Sequence, residues 1–255
     1  MRNKFSDKLF KRRILLLLVL CATGSCAAQT RTISDRHLVW VGMFGQYNFS
    51  PALNLNLDAQ ARYEYTDGDW FTWLVRPGLT WKIKRDILLT AGVAYFKLYQ
   101  NPNVLPPRPE WRIWQEVGKR FNKNAHTFYP RLRFEQRFIR QYGIPVFEEE
   151  FSFNTYRTRL RFDYTYKFSA NDPQGFLLLA GNEYMFSTNT KGKSAFDQNR
   201  AYAGVGYRLS KNLNFQLTYL NLFLRKGGNQ FDQHHIIRFI VVFQISKKEK
   251  EKENP

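Results

Sequence analysis

Between residues 153 and 168 the sequence FNTYRTRLRFDYTYKF separates cleanly at a period of two. Thr155, Arg157, Arg159, Arg161, Asp163, Thr165 and Lys167 fall on one face. Tyr156, Thr158, Leu160, Phe162, Tyr164, Tyr166 and Phe168 fall on the other. A helix would scatter the arginines around its circumference, whereas a strand gathers them on one side. The segment is longer than an ordinary sandwich strand and suits a tilted strand that crosses a bilayer. Aromatic residues mark both ends of its apolar face and Leu160 its middle, as in a bilayer-facing strand with rings at both interfaces.

The alternation begins at Leu38 and hardly stops. It predicts strands over 38–49, 53–65, 70–84, 87–99, 111–121, 127–138, 153–168, 176–186, 199–209, 213–224 and 231–245, eleven in all. Short connections are expected at Ser50, Lys84, Asn122, Asn171 and Ser210. Longer ones are expected at Asn101, Ile139, Ser187 and Arg225, with a modest turn at Asp67 and a polar loop over 187–198. This pattern predicts an all-β chain. It would be a single transmembrane antiparallel up-and-down β-barrel of about 12 strands, with a polar charged lumen, short periplasmic turns and longer extracellular loops. Bacterial single-chain barrels ordinarily have an even number of strands. A twelfth strand is therefore expected in residues 29–36, or else the N-terminal segment threads the lumen. A soluble periplasmic β-protein would share the alternation but not the ringed ends of the apolar faces.

Composition sharpens this picture. Aromatics make up 17% of the 255 residues, yet the chain is hydrophilic on average, because rings alternate with charges. Beyond the N-terminus no window approaches the about 18 uninterrupted apolar residues of a spanning helix. The formal charge of +18 would suit a nucleic-acid binder. The N-terminus argues otherwise. Arg2, Lys4, Lys8, Lys11, Arg12 and Arg13 against Asp7 make a +5 region before the apolar run 14–20, and Ser25, Cys26, Ala27 and Ala28 offer a cleavage site. That is a secretory signal over residues 1–28, which leaves +13 on an exported chain that meets no nucleic acid. Thr23-Gly24-Ser25-Cys26 is a loose lipobox alternative. Both cysteines lie in this region, so the mature barrel, 29–246, is expected to have neither disulfide nor cysteine metal site. Residues 247–255 read as a charged, disordered tail.

The candidate site is the charged lumen face. It comprises Arg62 and Glu64; Arg76 and Lys82; Arg131, Arg133, Glu135 and Arg137; Arg157, Arg159, Arg161 and Asp163; and Arg200 and Arg208. Arginine rings favour anions, so one reading is an anion-selective path or a site for small anionic solutes. The other is a structural network of arginine–carboxylate pairs. An outer-membrane hydrolase acting on lipid at the extracellular rim is the enzymatic alternative, with His234 or His235 near Ser187, Ser194, Asp197 and Asp232. No nucleophile motif marks it, and no catalytic residue is assigned. The repeated Phe-Asp-Gln at 196–198 and 231–233 offers only two carboxylates for Ca²⁺, too few for a site. No metal or cofactor is expected. The expected partners are outer-membrane lipid and small anionic solutes, for a monomer of the bacterial outer membrane.

Short stretches carry a resemblance to a known group: RLRFEQRF at 131–138, FDQNRAYAGVGY at 196–207, LTYLN at 217–221, PEWRIWQ at 109–115 and Asn182-Glu183. The chain resembles the domain-of-unknown-function 2490 family of Bacteroidetes-type outer-membrane barrels. The resemblance implies fold and location. That family has no established activity, so it lends no catalytic residue.

Overall fold

The computed structural model describes residues 32–64, 70–83, 86–98, 108–140, 151–169, 172–189 and 192–247. The signal expected over 1–28 and nearly all of the tail expected over 247–255 lie outside the described residues. The strands are β1 (Thr32–Asn48), β2 (Leu53–Glu64), β3 (Trp70–Lys82), β4 (Ile87–Leu98), β5 (Arg108–Lys119), β6 (Phe121–Lys123), β7 (His126–Arg140), β8 (Phe151–Lys167), β9 (Gly175–Asn189), β10 (Ser194–Arg208), β11 (Leu213–Gly227) and β12 (Gln230–Ser246). They form one sheet in the order β5-β4-β3-β2-β1-β12-β11-β10-β9-β8-β7-β6, and a further β5–β7 pairing closes it into a barrel.

The twelve strands are eleven long ones and one short one. β6 prolongs β5. β5 pairs Gly118 with Arg131, and β6 resumes three residues on with Phe121 opposite Phe128 in the same register. The break faces Pro130, which has no N–H for the ladder. Arg120, in the gap, donates its backbone N–H to Asp86 O at 3.2 Å instead.

The twelfth strand is therefore not where the sequence analysis puts it. Residues Thr32–Arg36 are the first turnless stretch of β1, continuous with the rest of that strand. An odd number of long up-and-down strands leaves β1 and β12 pointing the same way. Their contacts bear this out: His37 stacks on His235 at 5.2 Å, Asn48 Nδ2 donates to Ser246 Oγ at 3.0 Å, and Lys247 N donates to Asn48 O at 3.1 Å. Partner numbers rise together along both strands, so this seam is parallel, while the other strand pairings among the described residues are antiparallel.

Short turns gather at one end, between β1 and β2, β3 and β4, β6 and β7, β8 and β9, and β10 and β11. Asn124 takes a φ of 53° in the two-residue β6–β7 turn, a conformation that asparagine tolerates. At the opposite end the expected alternation holds only in part. β9 and β10 reach Asn189 and Ser194, and β11 and β12 are joined through Gly228 and Asn229 alone. The polar loop expected over 187–198 is thus mostly strand, because polar residues at a barrel rim can continue the ladder. Register shifts at Arg62/Tyr63, Arg137/Phe138, Phe196/Gln198 and Arg225/Gly227 all fall toward this second rim, where bulges are common.

The barrel is apolar outside, and its interior holds buried charged pairs alongside two apolar clusters. Val41, Val75, Leu79, Val93, Ile113, Leu132, Leu160, Val205, Leu217 and Ile237 are exposed around its middle. Aromatic contacts border this band on both sides. Toward the short turns lie Tyr47–Phe49, Phe121–Phe128, Tyr166–Phe168 and Phe176–Tyr207. Toward the other rim lie Trp73–Tyr95–Trp111, Phe134–Tyr156 and Phe196–Phe223–Phe231.

Candidate functional site

From the short-turn end the lumen opens as a vestibule of about 1230 Å³. Alternation sets its wall: Asn54, Asn56 and Asp58 from β2, Thr80 from β3, Thr90 from β4, and Gln216 and Gln244 from β11 and β12. Trp114 enters this space across Gly78 and Gly92, where an added Cβ would lie 2.6 and 2.8 Å from its ring. Arg133 sits over the same ring at 4.2 Å. At the mouth Lys82 Nζ meets Asp86 Oδ1 at 2.9 Å, and that hydrogen bond holds the Asp86 carboxyl below its usual range.

Charged pairs roof the vestibule. Arg76 bonds Asp58; Arg133 Nη2 reaches Glu116 at 2.7 Å; Arg131 and Tyr202 both donate to Asp163, and Arg161 Nε donates to it at 2.8 Å. Above them a second lattice crosses from β5 to β9. Glu110 accepts from Arg112 at 2.7 Å and from Arg137 at 2.5 Å. Glu135 accepts from Arg112 at 3.1 Å and from Arg159 at 2.6 Å, and Arg159 continues to Glu183 at 2.7 Å. Arg157 pairs with Asp197 at 2.7 Å. Asp197 is the extra residue of the β10 bulge, which lets it face inward beside Gln198.

Two apolar clusters pack beside this lattice. Leu38, Trp40, Leu220, Leu222 and Ile236 form one buried cluster, and Leu74, Ala94, Phe96 and Trp114 form another. Buried guanidiniums and carboxylates are costly unless each finds partners, and here most do.

A smaller cavity of about 190 Å³ remains inside this filling. Gln60, Arg76, Arg161, Tyr202 and Arg238 line both it and the vestibule. Among the described residues, three arginines around it have only neutral hydrogen-bond acceptors: Arg62 bonds Gln60 at 3.2 Å, Arg200 bonds Gln198 at 3.0 Å, and Arg238 bonds Thr218 at 3.0 Å. Arg62 and Arg200 lie over the Trp40 ring at 4.0 and 5.5 Å, and Arg238 lies over Tyr202 at 4.6 Å.

The residues expected on the lumen face fall into several distinct settings. Arg76, Arg131, Arg133, Glu135, Arg137, Arg157, Arg159, Arg161 and Asp163 join the lattices. Glu64 lies nearer the second rim, bonded to Arg36 at 2.8 Å. Lys82 stays at the mouth, and Arg208 clamps the β8–β9 turn through the carbonyls of Ser169 and Asp172 at 2.7 and 2.6 Å. Arg62 and Arg200 face the inner cavity. The expected set lacked Asp58, Glu110, Arg112, Glu116, Glu183 and Arg238. Their strand parity could have supplied them, but β5 carries tryptophans on both faces and β9 surrounds Glu183 with Leu177, Leu179 and Met185.

Among the described residues the hydrolase candidates do not converge on a serine–histidine pair. Ser187 donates to Asp197 at 2.9 Å and faces Arg157. His235 turns to the outer wall, against Tyr219 OH at 2.6 Å, while His234 is buried inside. The side chain of Ser194 lies outside the described residues. Asp197 and Asp232 are bound by Arg157 and Lys226. Among the described residues there is no cluster of metal-ligating side chains.

Residues 38–233, well over half of the chain, match the family described as "Protein of unknown function (DUF2490)", and the chain belongs to that family. No curated protein matches it. Among solved structures the chain is similar to a "Bacterial polysaccharide outer membrane secretin" at 9% identity and a TM-score of 0.46. That likeness covers 75% of this chain and 64% of the secretin, less than two thirds of its length. The chain is also similar to the beta domain of the Bordetella autotransporter BrkA, at 13% identity and a TM-score of 0.40, over 72% of this chain and 80% of that one.

Proposed function

We propose that the chain spans the bacterial outer membrane as a barrel closed to free passage, with a solute chamber open at the short-turn, periplasmic end. The exposed aliphatic band between two aromatic borders supports the membrane reading. Such a surface costs free energy in water and suits lipid with rings at its interfaces. A backbone closed into a barrel leaves no unpaired edge in hydrocarbon. The leader expected over residues 1–28 agrees with export.

The observation that carries closure is the Glu110–Arg112–Glu135–Arg159–Glu183 lattice, packed beside two apolar clusters in one cross-section. A porin keeps a continuous aqueous path, whereas here carboxylates neutralise the arginines that would otherwise attract anions through it. The chamber is consequently a place to hold a solute.

Planar-bilayer recording of the refolded chain tests this. Wild-type protein that migrates as a folded, heat-modifiable barrel is expected to give no steady conductance steps. Steady anion-selective steps that shrink when Arg157, Arg159 and Arg161 are neutralised would replace the closed barrel with an anion path.

A further inference from the structure

We infer that the inner cavity is a binding site for a small oxyanion, held by Arg62 and Arg200 beside Trp40 and closed from the vestibule side by Arg238. It deepens the chamber reading, resting on it only for the direction of access.

Three features point there. The first is missing compensation. The lattices around the cavity give nearly every arginine a carboxylate, yet Arg62, Arg200 and Arg238 hydrogen-bond only to Gln60, Gln198 and Thr218 among the described residues. Arg200 has Glu183 at 3.8 Å, an ion-pair distance beyond hydrogen-bond reach. Arg62 Nε is buried with no acceptor. Cations enclosed with too little counter-charge repel one another, and glutamine carbonyls satisfy geometry but not charge.

The second is shape. At about 190 Å³ the space exceeds a single water, and it falls below the about 300–1,000 Å³ of pockets for drug-sized ligands. A phosphate, a sulfate or a short carboxylate is of that order. The guanidinium fork matches paired oxygens of all three.

The third is rigidity. Trp40 is buried and carries two guanidiniums against its ring, so stacking presets Arg62 and Arg200, with only the long 3.8 Å contact of Arg200 to Glu183 beside it. Access runs through the layer of Gln60, Arg76, Tyr202 and Arg238 shared by the two cavities.

The test uses the full chain refolded in neutral detergent, checked for heat-modifiable migration, and titrated with inorganic phosphate, sulfate or acetate in chloride buffer. Calorimetry follows binding and a thermal melt follows stability. Saturable binding by one of the three is expected, and the tightest identifies the oxyanion. Arg62→Gln and Arg200→Gln should each weaken it by about tenfold, the order expected for a lost charged hydrogen bond. Each should also hold or raise the anion-free melting temperature, because a repelling cation is gone.

If Arg62 served only to pack on Trp40, Arg62→Gln would lower that temperature and leave the anion response unchanged. Absence of saturable binding by folded wild-type protein would overturn the site, as would equal loss in Lys211→Gln, an exposed turn variant. A barrel that conducts but binds phosphate through Arg62 retains the site and discards closure. A silent barrel indifferent to all three anions does the reverse.

Discussion

Arg159 donates from Nη1 to Glu135 at 2.6 Å and from Nη2 to Glu183 at 2.7 Å, so one guanidinium of β8 ties carboxylates of β7 and β9 inside the barrel. Glu135 is 1% exposed and also accepts from Arg112. Replacing Glu135 with alanine removes the shared acceptor and leaves two buried cations short of charge. The expected cost is about 3–5 kcal/mol, typical of breaking a buried pair from one side. A lower urea midpoint for unfolding from detergent, followed by heat-modifiable migration, would register it. An unchanged midpoint would mean that the lattice is solvated and does not fill the lumen.

The β1–β12 seam makes a geometric prediction. Because contacts at His37–His235 and Asn48–Ser246 advance together, Val41 and Phe239 should also be neighbours. In a leaderless chain, free of Cys21 and Cys26, the paired cysteine variants His37→Cys with His235→Cys and Val41→Cys with Phe239→Cys should both crosslink on mild oxidation. An antiparallel seam could satisfy one pair but not both. Mobility on non-reducing gels reads the result.

The outer wall can be probed with charge. Leu160 is exposed in the middle of β8, whereas Phe168 is exposed just beyond its short-turn end. Leu160→Arg should destabilise the barrel in lipid by about 2–4 kcal/mol, and Phe168→Arg by about 0–1 kcal/mol. Equilibrium unfolding from phospholipid vesicles measures both. Equal, small effects would fit a wall that faces water.

Close packing at Trp114 gives a fourth test. A Cβ on Gly92 would meet Pro77 O at 2.3 Å and Gly78 Cα at 2.7 Å, both backbone atoms with little room to shift. Gly92→Val should therefore cost about 1–3 kcal/mol or more and displace the tryptophan from the vestibule. Loss of folded-band yield on refolding, together with a shifted tryptophan emission spectrum in any folded fraction, would show it.

Much of this barrel is legible one strand at a time. The side-chain period of a strand is two whatever its neighbours are, so residues 155–167 announce an arginine face and an aromatic face without reference to any partner. The same backbone rule yields eleven strand segments that overlap the eleven long strands observed, and gathers the fourteen candidate charges on one face of each strand. Where both faces of a strand are apolar the signal fades. β4 reads poorly because Leu88, Ala94 and Phe96 pack inward while Leu89 and Val93 face outward.

What local pattern leaves open is which residues meet across the lumen. Arg36 finds Glu64 in β2 and lies near Asp232 in β12, a set separated by most of the chain. Glu183 becomes the partner of Arg159 through the β8–β9 register. The parallel seam, the break opposite Pro130, the tight β9–β10 and β11–β12 connections and the apolar filling around Trp40 and Leu74 are likewise products of closure. Periodicity along the chain determines which way a side chain points. Only pairing between strands determines what it meets there, and that decides whether an arginine face becomes a neutral lattice or lines a cavity.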